Sequence, residues 1–177
     1  GATHQTFPEF LNNYQESDAD KDGTSDFDER FIYKTSVEEA DEDNDGEDDI
    51  KELKKGRNPK GSGTLFSDVA EGQWYTEDVA MSWQVGAVKG YDDKTFRPEK
   101  LVTRAEFAAM AVRAFSPDTT PTLVEGIGDT NNKYSVFDDV SSATWYFDDV
   151  NRAYYKGWIN GTTDEQTLQR KLKPLEP

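Results

Sequence analysis

The twelve residues DADKDGTSDFDE, at positions 18–29, hold five aspartates and a glutamate, with three of the aspartates at alternate places. Counted as a loop of twelve, Asp18, Asp20 and Asp22 stand at positions 1, 3 and 5, Gly23 at 6, Thr24 at 7, Asp26 at 9 and Glu29 at 12. DEDNDGEDDIKE, at 41–52, repeats the arrangement 23 residues later with Asp41, Asp43, Asp45, Gly46, Glu47, Asp49 and Glu52. Alternate carboxylates, a backbone carbonyl at position 7 (Thr24, Glu47) and a last glutamate that binds through both oxygens make a calcium ligand set. Glycine at position 6 supplies the inward turn. The pattern therefore predicts two Ca2+ sites. An acidic linker has no reason to place glycine at position 6 twice, and acids this crowded are unfavourable in a fold without a cation.

The rest of the 177 residues must position those loops and whatever else works beside them. Only 34% of the chain is hydrophobic, yet 12% is aromatic, which argues for small aromatic cores rather than disorder. The formal charge of −16 argues against a nucleic-acid partner, which needs clustered Lys and Arg. Residues 1–63 hold 18 acids against 8 bases, so the charge is densest around the loops. Cysteine is absent, which removes disulfides, thiolate metal sites and cysteine nucleophiles. No 18-residue apolar run predicts a membrane span. Only one histidine, His4, is present, and it reads as a solvated surface residue. With no nucleophile elbow and no phosphate loop, and with its paired acids already accounted for by metal binding, the chain is expected not to be an enzyme.

Eleven residues, 30–40, separate the loops, too few for the two full helices of an EF-hand pair. Position 8 lacks its usual apolar residue (Ser25, Asp48), while position 10 is apolar (Phe27, Ile50). The loops and the KKGRNP tail (54–59) resemble the thrombospondin type 3-like repeats of bacterial surface proteins. A dockerin, which also carries duplicated loops, is the nearest competitor, although its loops are usually further apart and usually end in Asp. Residues 1–60 are thus expected to be a calcium-rigidified spacer.

Gly61-Ser62-Gly63 breaks the composition and marks a boundary. Beyond it, FSDVAEGQWYTEDV (66–79) lies over FDDVSSATWYFDDV (137–150) at an offset of 71. Phe66, Asp68, Val69, Trp74, Tyr75, Asp78, Val79, Gly86 and Gly90 each meet their own type in the second copy. Within the first copy a helix is expected over 76–88, with Val79, Trp83 and Ala87 on one face, then a turn-rich loop over 89–100. A second helix should start at Thr103-Arg104-Ala105-Glu106, capped reciprocally by Thr103 and Glu106, with Phe107, Met110, Ala111 and Ala114 as its apolar face. The expected fold is mainly α, built of helix–loop–helix modules.

The run from F-x-D-V through KGYDDKTFRPEKLVTRAEFAAMAVRAF is similar to an S-layer homology domain, down to TRAE at 103–106. The resemblance covers 66–115, and 137–161 matches the first half of a second module. It implies modules at 64–116 and, partial or divergent, at 136–177, joined by an irregular connector at 117–135. It further implies a secreted, extracellular segment at the bacterial cell wall, bound to secondary cell-wall polysaccharide in grooves between modules. Arg104, at a helix N-terminus where N–H groups and the dipole favour anions, is the expected ligand contact. Glu106, Lys89 and Arg97 are further candidates. Trp74 and Trp145 are expected in the core or in a groove wall, where they could meet sugar. At offset 71 Pro174-Leu175-Glu176 stands where TRAE belongs, so either the chain ends inside the second module or that copy has diverged. Self-association is a further partner expectation. The alternative is a calcium-dependent, dockerin-like interaction module or an S-layer assembly element.

Overall fold

The computed structural model describes residues 17–115 and 135–177; His4 and most of the 117–135 connector lie outside them. The described chain is mainly helical. In order it holds α1 (Asp26–Asp28), which runs on as a π-helical turn (Glu29–Tyr33), α2 (Asp49–Lys55), α3 (Thr76–Gln84), α4 (Arg104–Phe115), α5 (Phe147–Tyr155) and the two-residue strands β1 (Thr162–Thr163) and β2 (Arg170–Lys171). The strands pair antiparallel, Thr162 opposite Lys171. Two compact units divide the chain at Pro98/Glu99.

In the first unit each acidic loop feeds a short helix. Both helices are entered by a backbone bond, Asp26 N–H to Ser17 (2.8 Å) and Asp49 N–H to Ala40 (2.8 Å). Helix α2 ends at Gly56, whose φ of +74° is the left-handed conformation that closes a helix without Cβ strain. A Cβ there would come within 2.9 Å of the Thr76 methyl, so α2 and α3 approach closely at this point. Gly61-Ser62-Gly63 forms a hydrogen-bonded turn, with Asn58 N–H donating to Gly63 and Gly61 N–H to Asn58 (both 3.2 Å). Phe66, Val69 and Val79 form the buried cluster, with Leu65, Tyr75, Trp83 and Phe96 packed on it.

In the second unit α4 packs on α5. Its buried stripe is Ala105, Ala108, Ala109 and Val112, small side chains that let the helices come close, and Arg113 pairs with Asp149 at 2.7 Å. This corrects the expected face: Phe107 is 58% exposed, and the stripe toward α5 lies nearly half a turn away. The helix is apolar on two sides, and periodicity alone picks the side with the larger residues. From α5, Phe147, Val150 and Ala153 enter a core completed by Phe137, Val140, Tyr146 and Leu172. Each Val- or Leu-sized side chain there contributes about 1.5–3 kcal/mol. Asn151 is buried but satisfied, donating to Phe147 O (2.7 Å) and accepting from Val136 N–H (2.9 Å).

The duplication is visible in both units. Gly90 and Gly161 both have positive φ (+73° and +69°), and a Cβ would strike the ring of Phe66 in the first copy and of Phe137 in the second. Gly157 also has positive φ (+74°), but a Cβ there meets nothing. Gly157→Ala is therefore expected to cost about 1–2 kcal/mol of left-handed strain. Gly161→Ala should cost about 1–3 kcal/mol more, because its Cβ lies 2.6 Å from Lys171 O as well. Denaturant midpoints of the two variants check the difference.

Candidate functional site

The two acidic loops share one hydrogen-bond scheme. The position-1 aspartate accepts from the glycine N–H (Gly23 to Asp18, 3.2 Å; Gly46 to Asp41, 2.9 Å). Position 3 accepts from position 5 (Asp22 to Asp20, 3.2 Å; Asp45 to Asp43, 3.1 Å). Position 5 accepts from position 7 (Thr24 to Asp22, 2.6 Å; Glu47 to Asp45, 2.9 Å). Position 9 accepts from the residue after position 1 (Ala19 to Asp26, 2.8 Å; Glu42 to Asp49, 2.9 Å). These bonds curl each loop inward. As a result Asp18, Asp20 and Asp22, and likewise Asp41, Asp43 and Asp45, each bring one carboxylate oxygen within 4.8 Å of the others. Two ligands on opposite sides of a calcium-sized ion stand about 4.6–5.2 Å apart, so each cluster could hold such an ion.

The remaining acids differ in their freedom. Asp26 has both oxygens engaged, one by Ala19 N–H and the other by the Ser17 hydroxyl (2.5 Å). The side chain of Glu47 is held by Lys55 and Arg57, which leaves its backbone carbonyl as its candidate ligand atom. Glu29, Glu52 and Asp49 are each 1% exposed. Buried oxygens of Asp20, Glu29, Asp49 and Glu52 have no hydrogen-bond partner among the described residues. An orphaned buried carboxylate is costly, and a cation removes the cost. The residues present therefore fit a hard divalent ion.

Electrostatics agrees. Burial first, then the charges of Asp20 and Asp22, pushes Glu29 up to about 7. Burial, then Asp43 and Asp45, does the same to Glu52. Burial raises Asp49 to about 6.

A second site lies in the second unit, where a cleft of about 510 Å³ is lined by Thr103, Arg104, Phe107, Trp158, Asn160 and Pro177, among others. Arg104 donates through Nε to Leu172 O (2.7 Å). The N–H groups of Arg104 and Ala105 are taken by Glu176 O (2.8 Å) and Pro174 O (3.0 Å), so part of the helix N-terminus expected to be free for anions is already satisfied. Thr103 and Glu106 form the reciprocal cap: Thr103 N–H and hydroxyl both lie 2.9 Å from one Glu106 oxygen, and Lys100 takes the other at 2.8 Å.

The remaining candidates stand elsewhere. Trp74 and Trp145 are 87% and 60% exposed, so neither is a core residue. The following tyrosines turn inward instead, and each Trp ring stacks edge-on against its Tyr at 5.4 and 5.3 Å. Lys89 is exposed in the first unit. Arg97 lies over Tyr91 at 4.0 Å and pairs with Asp93 at 2.9 Å. There the Thr95 hydroxyl and Arg97 hold Asp93 down to about 2.

Trp158 and Asn160 were missed. Helix α5 closes with Gly157 N–H on Tyr154 O (2.8 Å) and Trp158 N–H on Ala153 O (2.9 Å), a cap that delivers Trp158 to the cleft. The signal was a departure from the repeat: Trp158 stands over Ala87, and Asn160 over Lys89.

A cation beside an aromatic wall, an amide and a hydroxyl suits an anionic, hydroxyl-rich ligand. The S-layer homology domain model matches residues 65–108 and 136–166. The chain carries an S-layer homology domain. Stretches of it are 36% identical over 96 residues to the exoglucanase XynX of Acetivibrio thermocellus, covering 54% of this chain and 8% of that protein. An amylopullulanase of Thermoanaerobacterium thermosulfurigenes is 35% identical over 96 residues, covering 54% of this chain and 5% of that one. A surface layer protein of Brevibacillus choshinensis is 36% identical over 62 residues, 35% of this chain and 6% of that one. The chain thus matches less than a tenth of the length of these relatives. No solved structure matches it at comparable significance. The domain gives the segment an extracellular, cell-surface location and supports an anchoring role. Among the described residues no helix is long and apolar enough to cross a membrane.

Glutamates that hold a proton up to about pH 7 in the metal-free fold, but ionise near 4.5 when unfolded, make the fold bind more protons across that window. Metal-stripped protein should therefore be more stable at pH 5 than at pH 8, losing stability as pH rises through the window. Excess divalent cation, which expels those protons, should reverse the order. Thermal unfolding at both pH values, with and without cation, measures this.

Proposed function

We propose that the chain is a non-catalytic, calcium-stiffened anchor that attaches a larger bacterial surface protein to secondary cell-wall polysaccharide. The observation that carries the reading is Arg104 in the cleft beside Trp158, Asn160 and Thr103: a cation, a sugar-stacking face and neutral polar groups converge on one volume. The relatives support it from another side. A glucanase, an amylopullulanase and a surface layer protein bear names with no activity in common, so what their similar segments share is better sought in attachment than in turnover.

In this reading residues 1–60 are the calcium region, of thrombospondin type 3-like kind. Residues 64–116 and 136–177 are the S-layer homology modules, with 117–135 as connector. One Ca2+ is held by Asp18, Asp20, Asp22, Glu29 and the Thr24 carbonyl, and the other by Asp41, Asp43, Asp45, Glu52 and the Glu47 carbonyl. At position 9 Asp26, with both oxygens engaged, braces its loop rather than serving as the ligand the spacing predicts, whereas Asp49 braces through one oxygen and keeps the other for the ion. Calcium neutralises buried carboxylates and fixes a segment with little apolar surface of its own. At a tenfold excess over the dissociation constant each site adds about 1.4 kcal/mol to folding.

Purified bacterial wall sacculi should co-sediment with the chain and should cease to do so once their secondary polysaccharide is removed. Arg104→Ala should weaken binding at least about tenfold, the loss expected for a charge-assisted hydrogen bond of roughly 1.5 kcal/mol or more. Sedimentation unchanged by both treatments would refute the anchor. Calorimetric calcium titration should give two sites per chain, and one for Glu29→Gln or for Glu52→Gln. Removing calcium should expose residues 18–52 to proteolysis while leaving wall affinity in place; wall affinity lost with the metal would overturn the spacer role.

A further inference from the structure

We propose that Asp139, which touches neither cleft nor ligand, is the positioning residue that aims Arg104 into the cleft. The inference rests on the wall-binding reading of that cleft. Asp139 receives two consecutive backbone donors, Leu172 N–H on one oxygen and Lys173 N–H on the other, both at 2.8 Å. The Leu172 side chain is 1% exposed in the core with Phe137 and Val150. Held by its amide on Asp139 and by its side chain in the core, Leu172 presents its carbonyl at a fixed point, and Arg104 Nε donates to it at 2.7 Å. Just beyond, Pro174 O and Glu176 O take the N–H groups of Ala105 and Arg104, tying the same segment to the start of α4.

Pinning Nε on a carbonyl sets the plane of the guanidinium and turns its terminal nitrogens away from that bond. An unrestrained arginine loses about 2 kcal/mol of side-chain entropy when it is ordered by a ligand. Ordering it beforehand removes part of that cost from binding.

The repeat supplies an internal control. Asp68 stands at the equivalent place in the first copy and accepts from Phe96 N–H and Arg97 N–H, both at 2.7 Å. The same clamp is thus made twice, but among the described residues only the second hands a carbonyl to Arg104.

Asp139→Asn keeps the shape and sets an amide N–H₂ against one of the two backbone donors. The full chain, as Asp139→Asn, Asp68→Asn and Arg104→Ala, would be compared with the parent in two readouts. One is co-sedimentation with bacterial wall sacculi that retain their polysaccharide, normalised to the folded fraction from near-UV circular dichroism. The other is solvent exchange of the Arg104 Nε–H by ¹⁵N NMR, assigned from its absence in Arg104→Ala. Asp139→Asn is expected to weaken wall binding about tenfold and to speed Nε–H exchange by at least about as much. Asp68→Asn should move neither, although it loses a like pair of bonds. If Asp139→Asn does not fold, Asp139→Glu, which moves the carboxylate by one methylene, replaces it with the same expectation.

Wild-type binding and exchange in a folded Asp139 variant would overturn the inference, as would equal losses in Asp68→Asn, which would mark the clamp as merely structural. Should Arg104→Ala bind walls as the parent does, the wall-binding reading of the cleft falls, whereas the exchange measurement still decides whether Asp139 sets the arginine.

Discussion

Carboxylates in the interior set the terms for the first half of this protein. Glu29 and Glu52 are as buried as the leucines and valines of an ordinary core, and each keeps one oxygen without a hydrogen bond among the described residues. Few apolar side chains, Ile50 and Leu53 the most buried of them, stand beside these orphaned carboxyls to offset their cost. The arrangement suits a counter-ion at the loop centre, and the repeated backbone bonds around Asp18 to Asp26 and Asp41 to Asp49 curl the oxygens toward one another. From the second loop the constraint runs onward: Glu52 sits on α2, and α2 closes at Gly56 against Thr76. Order at the acidic loop is thereby passed to the start of α3 within the same compact unit.

The aromatic half uses another rule. Each repeat opens with Phe-x-Asp-Val, and each part of that motif has a separate job. The phenylalanine ring covers a left-handed glycine (Phe66 on Gly90, Phe137 on Gly161), and the aspartate collects two successive N–H groups from the returning loop. The returning residue itself is left-handed in both copies, Arg97 at φ +63° and Lys173 at +56°. The returning loop, irregular in the first copy and a short hairpin in the second, is in this way fixed at two points by the motif that begins its own repeat.

Much of this was legible because spacing encodes it. Loop positions 1, 3, 5 and 6 predict the carboxylate clusters and the turn that closes them, and the Thr103/Glu106 cap follows from three-residue spacing. Partners of a face are not so encoded. Helix α4 carries Ala105, Ala108, Ala109 and Val112 on one side and Phe107 and Met110 on another. Residue size favoured the wrong side, because the close packing on α5 selects small side chains. Trp74 and Trp145 stand outside the core for a related reason: at a helix start adjacent residues diverge, and the tyrosine in each pair takes the inward place. Trp158 was hidden because a search for identities between copies passes over the positions where they differ.

The second copy also explains its own apparent decay. Matching residues stand 71 apart up to Gly90 and Gly161, yet Phe96, Arg97 and Pro98 find their counterparts in Leu172, Lys173 and Pro174, now 76 apart. Five additional residues are taken up in the β1–β2 hairpin, with Asp164 capping its turn through Gln166 and Thr167 N–H. Pro174-Leu175-Glu176 is therefore the counterpart of Pro98-Glu99-Lys100 and not of TRAE. That shift has a chemical consequence. In the first copy the residues after the proline lead into α4. In the second they lie along the N-terminus of α4, where their carbonyls take its N–H groups and Leu172 O takes Arg104 Nε. The insertion and the tail together thus decide which donors at that helix start remain for a ligand: the arginine's outer nitrogens rather than the helix amides.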